Sequence, residues 1–138
     1  MKHYTTLIKL KQQEIDSLKK QMGTLVKQRA SFEQQQVQLA DNLRQEVELA
    51  GTLVDMRGFF GDYSHAIKVQ QQTVQEKIDT ITKHMDVLSQ LMIQLFAEQK
   101  KFEIAHQRKL ATLAYKEQQA QQQFLDEQAA RRHAHPYH

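Results

Sequence analysis

The chain has 138 residues and a mass of 16.2 kDa, with 19 basic and 16 acidic side chains and a net charge of +3. That length allows one domain, and the absence of Cys excludes a disulfide scaffold or a thiolate metal site. Four Gly and one Pro leave few turns, and 23 Gln among Lys, Glu and Arg favour helix over strand, which argues against a β-fold or an α/β enzyme.

The first element is expected as a helix over residues 3–54. Its opening, MKHYTTLIKLKQQ, has no apolar core of the kind a secretory signal carries. Apolar residues recur along it in heptads. The a positions are Tyr4, Lys11, Leu18, Leu25, Phe32, Leu39 and Glu46; the d positions are Ile8, Ile15, Met22, Arg29, Gln36, Leu43 and Ala50. A seam this narrow and this long is a coiled-coil signal.

Three of the four glycines then cluster at Gly51, Gly58 and Gly61. Glycine weakens helix and accepts turn conformations, so a turn is expected over residues 55–61. Asp62 and Ser64 are N-cap candidates for a second helix over residues 62–132, which holds no Gly or Pro. Its seam reads Ile67, Gln71, Val74, Ile78, Ile81, Met85, Leu88, Met92, Leu95, Gln99 and Phe102. The apolar run over residues 87–97 is broken by Ser89, Gln90 and Gln94, and it is far shorter than the ~20 residues of a membrane span. A short tail, residues 133–138, closes the chain.

Two seams joined by one turn are expected to zip into an all-α, antiparallel coiled-coil hairpin whose second helix is the longer. Folding back between Gly58 and Phe59 makes the numbers of facing residues add to 117. Leu39 then faces Ile78, Phe32 faces Met85, Leu25 faces Met92, Glu46 faces Gln71 and Lys11 faces His106. A slide of one heptad keeps the seams matched, giving 110 or 124 instead. In the first register Met1 lies opposite Lys116, so the following residues have no partner, and Phe124 and Leu125 become exposed apolar anchors.

Nothing in the chain assembles a catalytic constellation, and no cofactor is expected. The seven His are dispersed, and His133, His135 and His138 near the end offer only adventitious metal binding. The phrase from Gly58 to Gly61 lacks the Lys-Ser/Thr of a phosphate loop. The basic charge is small and interspersed with acid, unlike the stripe of a nucleic-acid binder.

Several pieces resemble the FliJ family, the small stalk proteins of the flagellar type III export apparatus. Leu7, Leu10 and Glu14 look like the family's opening, and Gln35 and Leu39 fall where members carry Gln and Leu on the first helix. Asp62 and Tyr63 resemble the start of its second helix, and LDEQAARR at residues 125–132 resembles its ending. With no catalytic constellation in its residues, the chain is expected to be non-enzymatic. Members fold as an antiparallel two-helix coiled coil, similar to the central stalk subunit of rotary ATPases. They dock into the ring of the export ATPase (FliI-like), contact the export gate membrane protein (FlhA-like) and handle export chaperones.

For this chain the resemblance implies ATPase docking through Lys109, Lys116, Phe124, Leu125, Arg131 and Arg132, and gate binding through Gln35 and Leu39. It implies a cytoplasmic protein, peripherally associated with the inner-membrane export apparatus and monomeric when free. The competing expectations are a homo-oligomeric coiled-coil tether and the stalk of a non-flagellar type III system.

Overall fold

The computed structural model of the chain describes residues Lys2–Thr52 and Arg57–Ala134, and all of them are helical. Helix α1 is Lys2–Thr52 (51 residues) and α2 is Arg57–Ala134 (78 residues). The chain divides into two compact units. One comprises Met1–Glu14 with Leu95–His138, and the other comprises Ile15–Gln94.

The heptad seams stand. Every a and d position of α1 from Tyr4 to Ala50 is buried or partly covered, and so is every seam position of α2 from Ile67 to Phe102. The four most buried side chains, Ile15, Ile67, Val74 and Leu88, all belong to these seams. The covered stripe is therefore the narrow one that a 3.5-residue repeat produces, and apolar residues such as Val37, Val69, Ile93 and Phe96 lie exposed outside it among Gln, Lys and Glu.

The turn differs from expectation. Residues 57–61 are the first turns of α2, and Asp62 and Ser64 lie within that helix rather than capping it. The expected turn residues 55 and 56 fall outside the described residues, as does the tail from 135 onward, while His133 and Ala134 extend α2. Gly51 and Gly61 are helical, and no described glycine has a positive φ. A helical Gly costs about 1 kcal/mol relative to Ala. Here the covered face continues upstream of the seam's first residue, through Phe60, Tyr63 and Ser64, and favours helix past the glycines.

The facing pairs differ too, by one heptad. In the unit Ile15–Gln94, Arg29 Nη1 donates to Thr82 Oγ1 at 3.5 Å, and Lys77 Nζ lies 5.4 Å from the Phe32 ring centre. In the same unit Gln36 Nε2 donates to the Gln71 carbonyl at 3.0 Å. Phe32 thus meets the turn beside Ile78 rather than Met85, and Gln71 meets Gln36 rather than Glu46. In the other unit Lys11 reaches Glu98 at 2.7 Å, and His106 meets Tyr4 with ring centres 6.3 Å apart. The expected partner of Lys11 was His106. Both helices stop or start nearer residue 54 than the expected fold-back at 58–59. A displacement of half a heptad at the connection becomes a whole heptad in the facing pairs, and a seven-residue repeat tolerates that error without exposing the seam.

Candidate functional site

The longest uncovered surface is the end of α2. Every residue from 107 to 134 is exposed, ten residues earlier than the expected register implied. Phe124 is 59% and Leu125 57% exposed, and Leu110, Leu113 and Tyr115 nearer its base are exposed as well. Lys116 is exposed, and Arg131 and Arg132 occupy the last turn, where cations complement the negative end of the helix dipole. The segment is held by its own i,i+4 contacts. Thr112 Oγ1 donates to the Arg108 carbonyl at 2.9 Å, Gln119 Nε2 to Tyr115 Oη at 2.8 Å, and Gln122 Nε2 to Asp126 Oδ1 at 3.1 Å.

Lys109 stands apart from the other five residues expected for docking. Its ammonium lies 5.8 Å from the Tyr4 ring centre, a cation–π distance. It marks the base of the uncovered segment rather than its free surface. The same ring meets His3, with centres 5.6 Å apart, as well as His106. His106 Nδ1 is buried and has no hydrogen-bond partner.

The structure brings the two expected gate-binding residues together. Gln35 and Leu39, one helical turn apart on α1, line an open groove of about 400 Å³ with Val69, Thr73 and Val74 of α2. Leu39 is partly covered as a seam residue, whereas Gln35 is exposed. The groove walls are mostly apolar, with amide groups at the rim. It can accept an apolar side chain and hydrogen-bond the backbone beside it, and it offers no titratable group for chemistry.

Two glutamine contacts were not anticipated from the sequence. Gln36 Nε2 bonds the Gln71 carbonyl and, at 3.3 Å, Gln75 Oε1. Gln99 Nε2 bonds the Ile8 carbonyl at 3.4 Å and Gln12 Oε1 at 2.9 Å. Both glutamines are polar exceptions at d positions, and that break in the apolar pattern was their only signal. Lys11 is another seam exception. Its ammonium escapes along its stem to the Glu98 carboxylate, which raises its pKa above the ordinary 10.5, with Glu14 at 3.6 Å adding to the effect.

The chain matches no protein-family model, no curated protein and no solved structure.

Among the described residues no group of three His, Cys, Asp or Glu side chains could hold a metal ion, and no helix is long and apolar enough to cross a membrane. His135 and His138 lie outside the described residues.

Proposed function

We propose that α1 and α2 pack as an antiparallel coiled-coil hairpin, and that the chain is a non-enzymatic stalk protein of the flagellar type III export apparatus. In each unit, contacts that climb α1 descend α2. Arg29, Phe32 and Gln36 meet Thr82, Lys77 and Gln71, while Tyr4 and Lys11 meet His106 and Glu98. This order supports the antiparallel reading. The observation that carries the function is the exposed, basic-ended helix over residues 107–134. It is a rod without a wall, suited to entering a cavity whose lining supplies the other side.

In this reading Lys116, Phe124, Leu125, Arg131 and Arg132 dock into the export ATPase ring. Phe124 and Leu125 anchor by burial, and the cations meet acidic residues, so added salt weakens the association. The groove at Gln35 and Leu39 faces the export gate protein, and export chaperones are the remaining partners. The protein works in the cytoplasm against the inner-membrane apparatus. The FliJ resemblance of the Gln35–Leu39 pair and of residues 125–132 supports the flagellar system over a non-flagellar one.

The test is a chain ended at Leu110, just past the Lys109–Tyr4 contact. It is expected to keep its thermal stability and to lose stimulation of the export ATPase. A truncated chain that still activates the ATPase fully, or one that cannot fold, overturns the docking assignment.

A further inference from the structure

We propose that the two helices have two pairings one heptad apart, that the molecule slides between them, and that Gln36 clamps the pairing observed. The inference rests on the antiparallel packing proposed above and concerns the unit Ile15–Gln94.

Both seams repeat every seven residues, so a slide of one heptad sets apolar residues against apolar residues again. Phe32 moves from the turn beside Ile78 to Met85, Leu25 moves to Met92, and Leu39 gains Ile78. The observed pairing leaves two of its largest seam residues beside open space. Leu39 borders the groove of about 400 Å³, and Phe32 borders one of about 350 Å³ next to Ile81. The slid pairing gives Leu39 an apolar neighbour in place of the Gln71 turn.

The connection favours the same alternative. In the observed state Gly58 and Gly61 sit in the first turns of α2, where glycine is a poor helix former. The slid pairing places the fold-back at Gly58 and Phe59, where glycine's freedom has a use. A Cβ added at Gly61 would meet nothing within 4 Å, so packing does not explain that residue.

Against this, the contacts specific to the observed pairing in this unit are polar or cation–π. Gln36 bonds Gln71 and Gln75, Lys77 lies over the Phe32 ring, and Arg29 bonds Thr82 at the long distance of 3.5 Å. A neutral hydrogen bond shifts an equilibrium by roughly two- to tenfold. Two states separated by contacts of that size interconvert, whereas a fully apolar mismatch would forbid one of them. The slide displaces one helix along the other by about 10 Å, seven residues at a helical rise of 1.5 Å each. It remakes the connection by unwinding the first turn of α2, where Gly58 lies, while the paired lengths shift as intact helices.

The chain's lack of Cys makes the test direct. Phe32→Cys with Ile78→Cys reports the observed pairing, and Phe32→Cys with Met85→Cys reports the slid one. Each is equilibrated in a glutathione redox buffer at low protein concentration. Both intramolecular disulfides are expected, the first in excess. Gln36→Leu is expected to move the ratio toward the second by roughly two- to tenfold. Gly61→Ala is expected to move it toward the first by about fivefold. Leu25→Cys with Met85→Cys or Met92→Cys repeats the measurement with Phe32 intact, should its loss unfold the chain. A 32–78 disulfide with no 32–85 disulfide in any background overturns the slide, and a ratio indifferent to Gln36→Leu overturns the clamp. Absence of both intramolecular disulfides, at 25 as at 32, overturns the antiparallel packing itself and the slide with it.

Discussion

Gln36 and Gln99 solve the same problem from opposite helices. Each occupies a d position, where an amide that found no partner would be costly. Each sends its N–H to a main-chain carbonyl of the other helix and to a second glutamine near it. A helical carbonyl has two lone pairs and uses one on its own i+4 amide, so the second is available. Such a contact contributes little net stability but favours one alignment, since a slid helix offers different neighbours. Gln99→Leu is therefore expected to change unfolding free energy by no more than about 1 kcal/mol in a urea titration. Leu88→Ala should cost far more, about 2–5 kcal/mol, because among the described residues only four apolar side chains are well buried and Leu88 is one of them. Lys11 gives a pH signature. Its folded pKa is raised by Glu98, so its contribution is complete below the ordinary 10.5 and disappears as pH climbs past the raised value. The pair is partly exposed and its effect small. Lys11→Met should flatten the alkaline limb of a stability–pH curve.

At the scale of the helices, periodicity was legible and punctuation was not. The a and d positions from Tyr4 to Phe102 could be read from the sequence because burial in a coiled coil follows a single repeat, and every one of those residues is buried or partly covered. The position of the turn could not be read in the same way. Gly58 and Gly61 carry a local preference against helix, but the covered face through Phe60, Tyr63 and Ser64 outweighs it. Phe60 and Ser64 fall one heptad before Ile67 and Gln71, so the seam's own phase runs back past the glycines, whose local preference alone points to a turn. The glycines remain a local weakness. Gly61→Ala is expected to raise stability by about 0.4–1 kcal/mol, since the new methyl group meets open space and a helical backbone. A fall in the denaturation midpoint would show that Gly61 serves another backbone state.

At the scale of the whole molecule, the long second helix was expected, but the extent of its exposed end was not. The expected register placed the first unpartnered residue after Lys116, whereas exposure begins at residue 107. Of those ten residues, 107–116, seven are accounted for by the heptad that displaced the facing pairs. Gln35 and Leu39 were singled out separately, and the α2 half of their groove became visible only with the fold, because Val69 and Thr73 lie outside the seam. The stalk reading predicts a monomer at micromolar concentration. A dimer by light scattering that disappears when the chain ends at Leu110 would favour the tether reading instead.

The exposed end of α2 also determines how the protein responds to heat. Residues 110–134 are all exposed and are held by hydrogen bonds along their own helix. A helix in that situation loses order gradually, from its free end inward, because each residue adds only a small propagation term. The seam, by contrast, is lost cooperatively once its few buried side chains separate. The far-UV circular dichroism melt should therefore begin with a long slope and end in a step. A bound ATPase ring would fold the slope into the step, so its disappearance on mixing measures the ordering free energy that the partner supplies. In the stalk reading that energy is subtracted from the affinity for the ring.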